Sequence, residues 1–556
     1  MASNLLETKG RAVANWFGPL CGILLLGLLS SCTDPVAEQE LAGTSALTTE
    51  KTNFLVILVD DLGYSDIEPF GGEIPTPNLA ALANSGTRFT NFHTAVKCNP
   101  TRAMLMTGLD NNLAASGPRS DYQLRPEIPT IAERLSELGY HSYMAGKWDN
   151  GSDDGEWPSQ RGFERSFVLL PGAGTHFLPL NAEPGEVTPN YLEDGAPVIL
   201  PEDFYSTVEY TDKIIEFIDS NLGDDKPFFA YLGYTAPHYP LQAPKEYIDR
   251  FDGWYSEGYQ VLREQRIQRM REMQLINQQH QTWQAPALSS WDELTEEEQI
   301  YEAKRMQIYA AMVSLMDEQI GRVLDYLDEK DIAKNTLVIF SSDNGADGTT
   351  NGVGMNDSYN NDLSNLGSQT SYITQGLNWA KVSSTPFRLV KTYPTEGGTR
   401  AAMISRWPQN IPAGQVSEQW IRISDIAPTF LEIAGMPVED WPTPELSNNA
   451  LDSMVGRSVL DSLITDSPAY QTAETRIHTY IENRLGGANV LSGDWKLVWW
   501  KENGQYVDPM LFNLAEDSME TTDLAALRPD IVAQLTAEWR AYGEQIGEPI
   551  EEANPQ

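Results

Sequence analysis

Cysteine is scarce in this chain: three residues in 556, at positions 21, 32 and 98. Cys21 and Cys32 fall in an N-terminal export segment, which leaves Cys98 as the only thiol of the body, without an intramolecular disulfide partner. A disulfide scaffold and a structural Cys/His zinc cluster are both excluded. Positive charge is short as well. Lys and Arg number 38 against 79 Asp and Glu, a formal net charge of −41, and no basic stripe occurs. No nucleic-acid partner is expected from such a balance. An anionic substrate must instead be held by a local basic pocket, isolated from the acidic surface by salt screening over about 8–10 Å. Long apolar runs are missing too: Gly22–Leu29 is too short for a permanent membrane span. What remains, 41% hydrophobic and 10% aromatic residues, suffices for a substantial core. The length fits two or three domains, or a large one with a smaller appendage.

Lys9 and Arg11 precede the Gly22–Leu29 run, so residues 1–31 read as an export signal peptide. Leu29-Ser30-Ser31-Cys32 resembles a bacterial lipobox, which implies cleavage before Cys32 and lipidation of its thiol. The mature protein is then an exported bacterial lipoprotein, periplasmic or at the cell surface, held to the membrane by its lipid anchor only. Residues 32–50 are small and polar and read as a flexible tether.

Phe54–Val59 is a continuous apolar run, the pattern of a strand covered on both faces of a parallel sheet, and it ends in Asp60-Asp61. Three more runs repeat the arrangement. Tyr140–Ala145 leads to Gly146-Lys147-Trp148, Phe228–Leu232 to Ala236-Pro237-His238, and Thr336–Phe340 to Ser341-Ser342-Asp343-Asn344-Gly345. Ionisable groups past the carboxyl ends of four buried strands predict one active site on a doubly wound α/β sheet. Helices fill the intervals: one opens at Thr130 and stops at Gly139, another runs from Ser206 to near Gly223, and the longest from Thr295 to about Lys330. In the longest, Met306, Tyr309, Met312, Met316, Ile320, Val323 and Leu327 recur at helical spacing and read as core. The Arg-, Gln- and Glu-rich stretch 259–281 reads as a solvated surface helix. After about residue 430 the texture changes; Asp494–Trp500 and Met510–Leu514 suggest a short antiparallel sheet, closed by a helix from about 530 to 545. The division is a catalytic domain over 51–430 and a smaller C-terminal subdomain over 431–556.

Cys98-Asn99-Pro100-Thr101-Arg102 opens a helix, because Pro100 fits a first turn and an apolar run follows to Thr107-Gly108. Cys-x-Pro-x-Arg before Thr-Gly resembles the signature of the type I sulfatases, of the alkaline-phosphatase-like superfamily. The likeness extends over about residues 52–525. Asp60-Asp61-Leu-Gly-Tyr and Asp343-Asn344-Gly345 resemble that family's metal motifs; Ala236–Pro244 and Thr385–Lys391 with Glu396-Gly-Gly398 resemble its sulfate-binding segments. Phe92-His93-Thr94, Gly253-Trp-Tyr, Leu511-Phe-Asn-Leu and Glu520-Thr-Thr-Asp523 match its bacterial arylsulfatase branch. The resemblance implies a large mixed sheet flanked by helices, with a smaller C-terminal domain on an antiparallel sheet. It also implies that a maturation enzyme oxidises Cys98 to formylglycine, whose hydrate attacks sulfur and later expels sulfate. Arg102 holds that side chain, and Asp60, Asp61, Asp343 and Asn344, with the modified Cys98, ligate one calcium ion through hard oxygens. Lys147, His238 and Lys391 bind the sulfate, and His238 protonates the leaving oxygen. The remaining histidines, His93, His141, His176, His280 and His478, read as structural or pocket-lining.

One position departs from the family pattern. Gly-Lys-Trp-His is here Gly146-Lys147-Trp148-Asp149, so a carboxylate stands where a histidine usually helps bind sulfate and accepts a proton. Asp149 can accept a proton but repels an anion. Three functions stay open on these residues: hydrolysis of an aryl or carbohydrate sulfate; hydrolysis of a phosphonate or phosphodiester by the same superfamily's chemistry; and binding of sulfated glycans without turnover.

Overall fold

The computed structural model describes residues 51–546 apart from 116–122, 181–187, 279–280, 286–289, 351–357, 437–455, 469–474, 481–486 and 503–504. The export segment, Cys32, the tether and His280 lie outside the described residues.

In chain order the strands of the large sheet are β1 (Asn53–Val59), β2 (Thr87–His93), β3 (His141–Lys147), β4 (Arg165–Leu169), β5 (Thr188–Glu193) and β6 (Ala196–Val198). They continue with β7 (Phe228–Gly233), β8 (Thr336–Ser342), β9 (Arg400–Arg406), β10 (Gln415–Ser417) and β11 (Ile421–Arg422). Their spatial order is β10-β2-β9-β8-β1-β7-β3-β4-β5-β6, with β11 on β2. β1 lies in the middle, parallel to both β7 and β8, and β3 is parallel to β7. β9 runs antiparallel against β8 and β2, which makes the sheet mixed.

The unbroken apolar character of β1 follows from two covered faces. Leu55, Ile57 and Val59 pack into one hydrophobic layer, and Phe54, Val56 and Leu58 into the other. Each such side chain, fully buried, contributes about 1.5–3 kcal/mol. The first layer holds the long helix Glu296–Glu329, opened by a capping box in which the Thr295 hydroxyl accepts from Glu298 N–H and the Glu298 carboxylate from Thr295 N–H. The stripe Met306, Tyr309, Met312, Met316, Ile320, Val323 and Leu327 is buried there, as its spacing predicts. The second layer holds the helices Cys98–Thr107, Ile131–Glu137 and Ile426–Ile433.

The arginine-rich stretch departs from its expected solvated face. Its helix, Gly258–Glu272, buries Tyr259, Leu262, Ile267 and Met270, and Arg266 is completely enclosed. The Arg266 guanidinium meets Asp66 at 2.6 Å and Glu73 at 2.7 Å, so its charge enters the interior already paired.

Beyond the large sheet lie β12 (Thr475–Tyr480), β13 (Gly487–Ser492), β14 (Trp495–Glu502), β15 (Gln505–Tyr506) and β16 (Met510–Asn513), all antiparallel, with the helix Pro529–Ile546 across them. Val490, Leu497, Trp499, Leu511, Trp539 and Tyr542 join the same hydrophobic layer as Phe54 and Val56. The described residues accordingly fall in one compact unit, Thr48–Gln556. Among them no helix is long and apolar enough to cross a membrane.

Candidate active site

Four adjacent strands deliver the site. β1 ends at Asp60-Asp61, β8 at Asp343-Asn344, and β7 leads through a turn to His238. β3 runs two residues further than its apolar run suggests and ends on Lys147 itself. Glycine makes that extension possible. Gly146 sits opposite Gly233 in register, and a Cβ on it would lie 1.9 Å from the Gly233 carbonyl oxygen. The same device joins Gly345 to Gly397, where an added Cβ would lie 1.9 Å from the Gly397 carbonyl. That contact presses the Asp343-Asn344 turn against the segment bearing Lys391.

The side chains form one buried ionic cluster. Lys147 Nζ lies 2.7 Å from Asp60 Oδ2 and 3.5 Å from Asp149 Oδ2. Lys391 Nζ lies 2.6 Å from Asp61 Oδ1 and 3.3 Å from Asp347 Oδ2. Arg102, wholly buried, donates to Asp343 Oδ2 at 2.8 and 3.1 Å, to the Tyr231 hydroxyl at 2.9 Å and to the Lys147 carbonyl at 3.1 Å. Arg102 is thus a strut between the strand ends. His238 places Nδ1 2.6 Å from the Tyr239 carbonyl, to which Nδ1–H donates, and directs Nε2 toward Asp61 Oδ2 at 3.4 Å.

Cys98 is the first residue of its helix and points into this cluster: ligand atoms of Asp60, Asp61, Cys98 and His238 all lie within 4.8 Å of one another. All ten residues of the body to which the resemblance gives a site role therefore meet here: Asp60, Asp61, Cys98, Arg102, Lys147, Asp149, His238, Asp343, Asn344 and Lys391.

The donor set fits a hard divalent cation. Asp60 Oδ1 and Asn344 Oδ1 are buried without a hydrogen-bond partner among the described residues. Such orphaned acceptors are costly unless a cation takes them. With all five carboxylates (Asp60, Asp61, Asp149, Asp343, Asp347) ionised, they outnumber the three permanent cations (Arg102, Lys147, Lys391) by two, a difference that a divalent cation would offset. Oxygen donors of this kind suit calcium. The one soft atom is the Cys98 sulfur; conversion of that thiol to an aldehyde would make the set all-oxygen apart from the imidazole.

Protonation follows burial and neighbours. Burial raises Asp60, yet Lys147, His238 and Arg102 together hold it well below the carboxylate range. Burial lifts Asp61 well above that range, aided by Asp60 and Asp347 and opposed by Lys391. It pushes Asp343 up to about 6, against the pull of Arg102. Burial likewise lowers His238 to about 4. The Cys98 thiol is pushed up by burial more than Lys147 and Lys391 pull it down, so an unmodified Cys98 is neutral and a poor nucleophile.

Two contributors, Asp347 and Tyr231, escaped sequence reading. Asp347 lies four residues past Asp343, a faint signal, and its Oδ1 accepts from Thr349 N–H at 2.5 Å. Tyr231 is hidden inside an apolar strand. His176, read as structural, supports His238: its Nε2–H donates to the His238 carbonyl at 2.9 Å and its Nδ1 accepts from Ser206 at 3.0 Å. Of the other histidines, His93 binds Glu396 at 3.1 Å, and His141 sits between Glu164 and Asp224 at the amino end of β3. His478 lies on β12.

Comparison with known proteins agrees with this geometry. A family model described as Sulfatase matches residues 52–436. An uncharacterized sulfatase of Schizosaccharomyces pombe is 37% identical over 536 residues, covering 90% of this chain and 94% of that protein. An arylsulfatase of Klebsiella aerogenes is 37% identical over 441 residues, covering 75% of this chain and 93% of that protein. Among solved structures, Ps i-CgsB in complex with k-i-k-neocarrahexaose shares the fold: TM-score 0.65 at 23% identity, over 91% of this chain and 96% of that one.

Proposed function

This chain belongs to the sulfatase family and is a sulfuric ester hydrolase; we propose that it works through a formylglycine made from Cys98 beside a calcium ion held by Asp60, Asp61, Asp343 and Asn344. The observation that carries the reading is the convergence of Cys98, Asp60, Asp61 and His238 within 4.8 Å, flanked by Lys147 and Lys391. When present, the hydrated aldehyde supplies the attacking oxygen and the calcium ion polarises the sulfate.

The encoded side chains do the rest. Lys147 and Lys391 exchange part of their carboxylate contacts for sulfate oxygens and offset the charge that gathers there in the transition state. Arg102 keeps Asp343 and the Lys147 backbone in register, so the strand ends cannot drift apart. His238 keeps Nδ1–H on the Tyr239 carbonyl and turns Nε2 to the ester's bridging oxygen. Burial lowers its proton affinity; the arriving anion raises it, and the imidazolium then gives its proton to the leaving alcohol.

The test is mass spectrometry of the Cys98 peptide from native-host protein, together with inorganic sulfate release. Sulfate release by protein carrying only unmodified Cys98 would overturn the formylglycine assignment. Calcium should appear stoichiometrically in elemental analysis, and its removal by chelation should lower Tm, since bound metal stabilises the fold by mass action. Stoichiometric zinc without calcium would refute the metal assignment. We further propose export and lipidation at Cys32, supported by the Leu29-Ser30-Ser31-Cys32 motif. Radiolabelled palmitate should enter the protein and be lost in Cys32→Ala; equal labelling of both would refute it.

A further inference from the structure

The ring of His238 stacks on Tyr239 with centroids 4.3 Å apart. Tyr239 in turn meets Tyr372 at 6.3 Å, and Tyr372 meets Tyr359 at 4.8 Å. This contiguous run of rings starts at the histidine that faces the leaving oxygen. All three tyrosines are half-buried.

Many buried tyrosines elsewhere tie their hydroxyls down, as Tyr143 does to Asn221, Tyr191 to Tyr210, Tyr205 to the Gln242 carbonyl and Tyr234 to Thr211, although the Tyr140 hydroxyl has no partner among the described residues. The hydroxyls of Tyr239, Tyr372 and Tyr359 have no hydrogen-bond partner among the described residues. Beside Tyr239 stands Asp347, fixed by Thr349 N–H at 2.5 Å and by Lys391 at 3.3 Å, in whose field the Tyr239 phenol lies.

We propose that this wall is the leaving-group subsite and that it takes a monosulfated sugar, the tyrosine hydroxyls and Asp347 binding the sugar's hydroxyls while the rings cover its apolar face. The proposal rests on the sulfatase reading and narrows it. A plain aryl leaving group uses only ring faces and leaves the polar groups unpaired. A site built to bind a substrate hydroxyl selects strongly for one, because each group left unpaired counts against the analogue. The carboxylate of Asp347 turns away a second sulfate on the same ring.

The experiment compares matured wild type with Tyr239→Phe, Tyr372→Phe and Tyr359→Phe, which keep the rings and lose only the hydroxyls. The substrates are galactose 4-sulfate, galactose 6-sulfate, N-acetylglucosamine 6-sulfate and 4-nitrophenyl sulfate. At least one sugar sulfate should surpass 4-nitrophenyl sulfate in kcat/KM. The ratio of the two kcat/KM values should fall at least tenfold in Tyr239→Phe or Tyr372→Phe, mainly through KM for the sugar. A ratio unchanged in all three variants, or an aryl sulfate cleaved faster than every sugar sulfate, overturns the subsite. Turnover of neither substrate class by fully matured protein removes the sulfatase reading, and the subsite with it.

Discussion

Cys98 and Asp149 show what single side chains decide here. Cys98 is exposed to 9% and opens a helix that the rest of the fold already holds, so its sulfur contributes little to stability. Cys98→Ala should lower kcat by at least about a thousandfold, as loss of a nucleophile does, with Tm almost unmoved. A residual rate within tenfold of wild type would assign the nucleophile elsewhere. Asp149 adopts a left-handed backbone, φ 57°, which Asp and His both tolerate, and Gly172 leaves room beside its carboxylate. Burial pushes the Asp149 carboxyl up while Lys147 and Arg102 draw it down. Its Oδ2, 3.5 Å from Lys147, competes with sulfate for that ammonium. Asp149→His should therefore raise kcat/KM on 4-nitrophenyl sulfate at least tenfold, about 1.4 kcal/mol of transition-state stabilisation. An unchanged or lower rate would make Asp149 a working base.

At the scale of elements, the segment carrying Lys391 is held from the far side by the C-terminal sheet. Lys496 on β14 lies 2.5 Å from Glu396 Oε1 and 2.9 Å from Glu520 Oε1, and Glu520 Oε2 accepts from Glu396 N–H at 2.9 Å. Arg388 completes the tie by donating to the Glu520 carbonyl at 3.2 Å. Burial alone would raise Glu396; Lys496 and His93 instead hold it well below its usual range. Lys496→Met leaves the buried Glu520 carboxylate without its cation, beside a Glu396 that keeps His93 and Arg400, and should cost about 3–5 kcal/mol in urea unfolding, with part recovered in Lys496→Met/Glu520→Gln. A loss below about 1 kcal/mol would show that the tie carries no weight. This network also marks where sequence reading ends. The four strands and their polar ends were legible, because a run such as Phe54–Val59 declares its burial and Asp60-Asp61 is conspicuous after it. The family likeness singled out Glu396 and Glu520 without giving either a function. Pairings such as Arg266 with Asp66, or Lys496 with Glu396, join residues a hundred or more positions apart. Charged residues read as solvated until their partners are placed in space, which is why the helix Gly258–Glu272 was expected on the surface.

For the whole molecule, a formal charge of −41 makes long-range repulsion a constant background, cut to about 8 Å by physiological salt. Stability against pH is then shaped by buried groups that titrate out of step with the unfolded chain. His141 and His176 act with opposite sign. Burial alone would lower His141, but hydrogen bonds to Glu164 and Asp224 raise it. Its stabilisation is complete below about 6.5, the unfolded value, and fades as pH rises through the raised one. His176 is forced neutral: Nε2–H is committed to the His238 carbonyl, and Nδ1 must stay bare to accept from Ser206. Burial holds it down at about 4. Its contribution is present above about 6.5 and lost as pH falls toward 4, because the unfolded chain then binds a proton that the folded one refuses. One such proton gives a slope of about 1.4 kcal/mol per pH unit. His176→Gln keeps an N–H donor for the His238 carbonyl and removes the titration. In urea unfolding of calcium-saturated protein at fixed ionic strength, the variant's stability should fall less steeply than wild type between pH 6.5 and 4.5, by about that slope. Parallel curves would show that His176 takes up its proton in the folded state, with Ser206 turned away and the support of His238 rearranged.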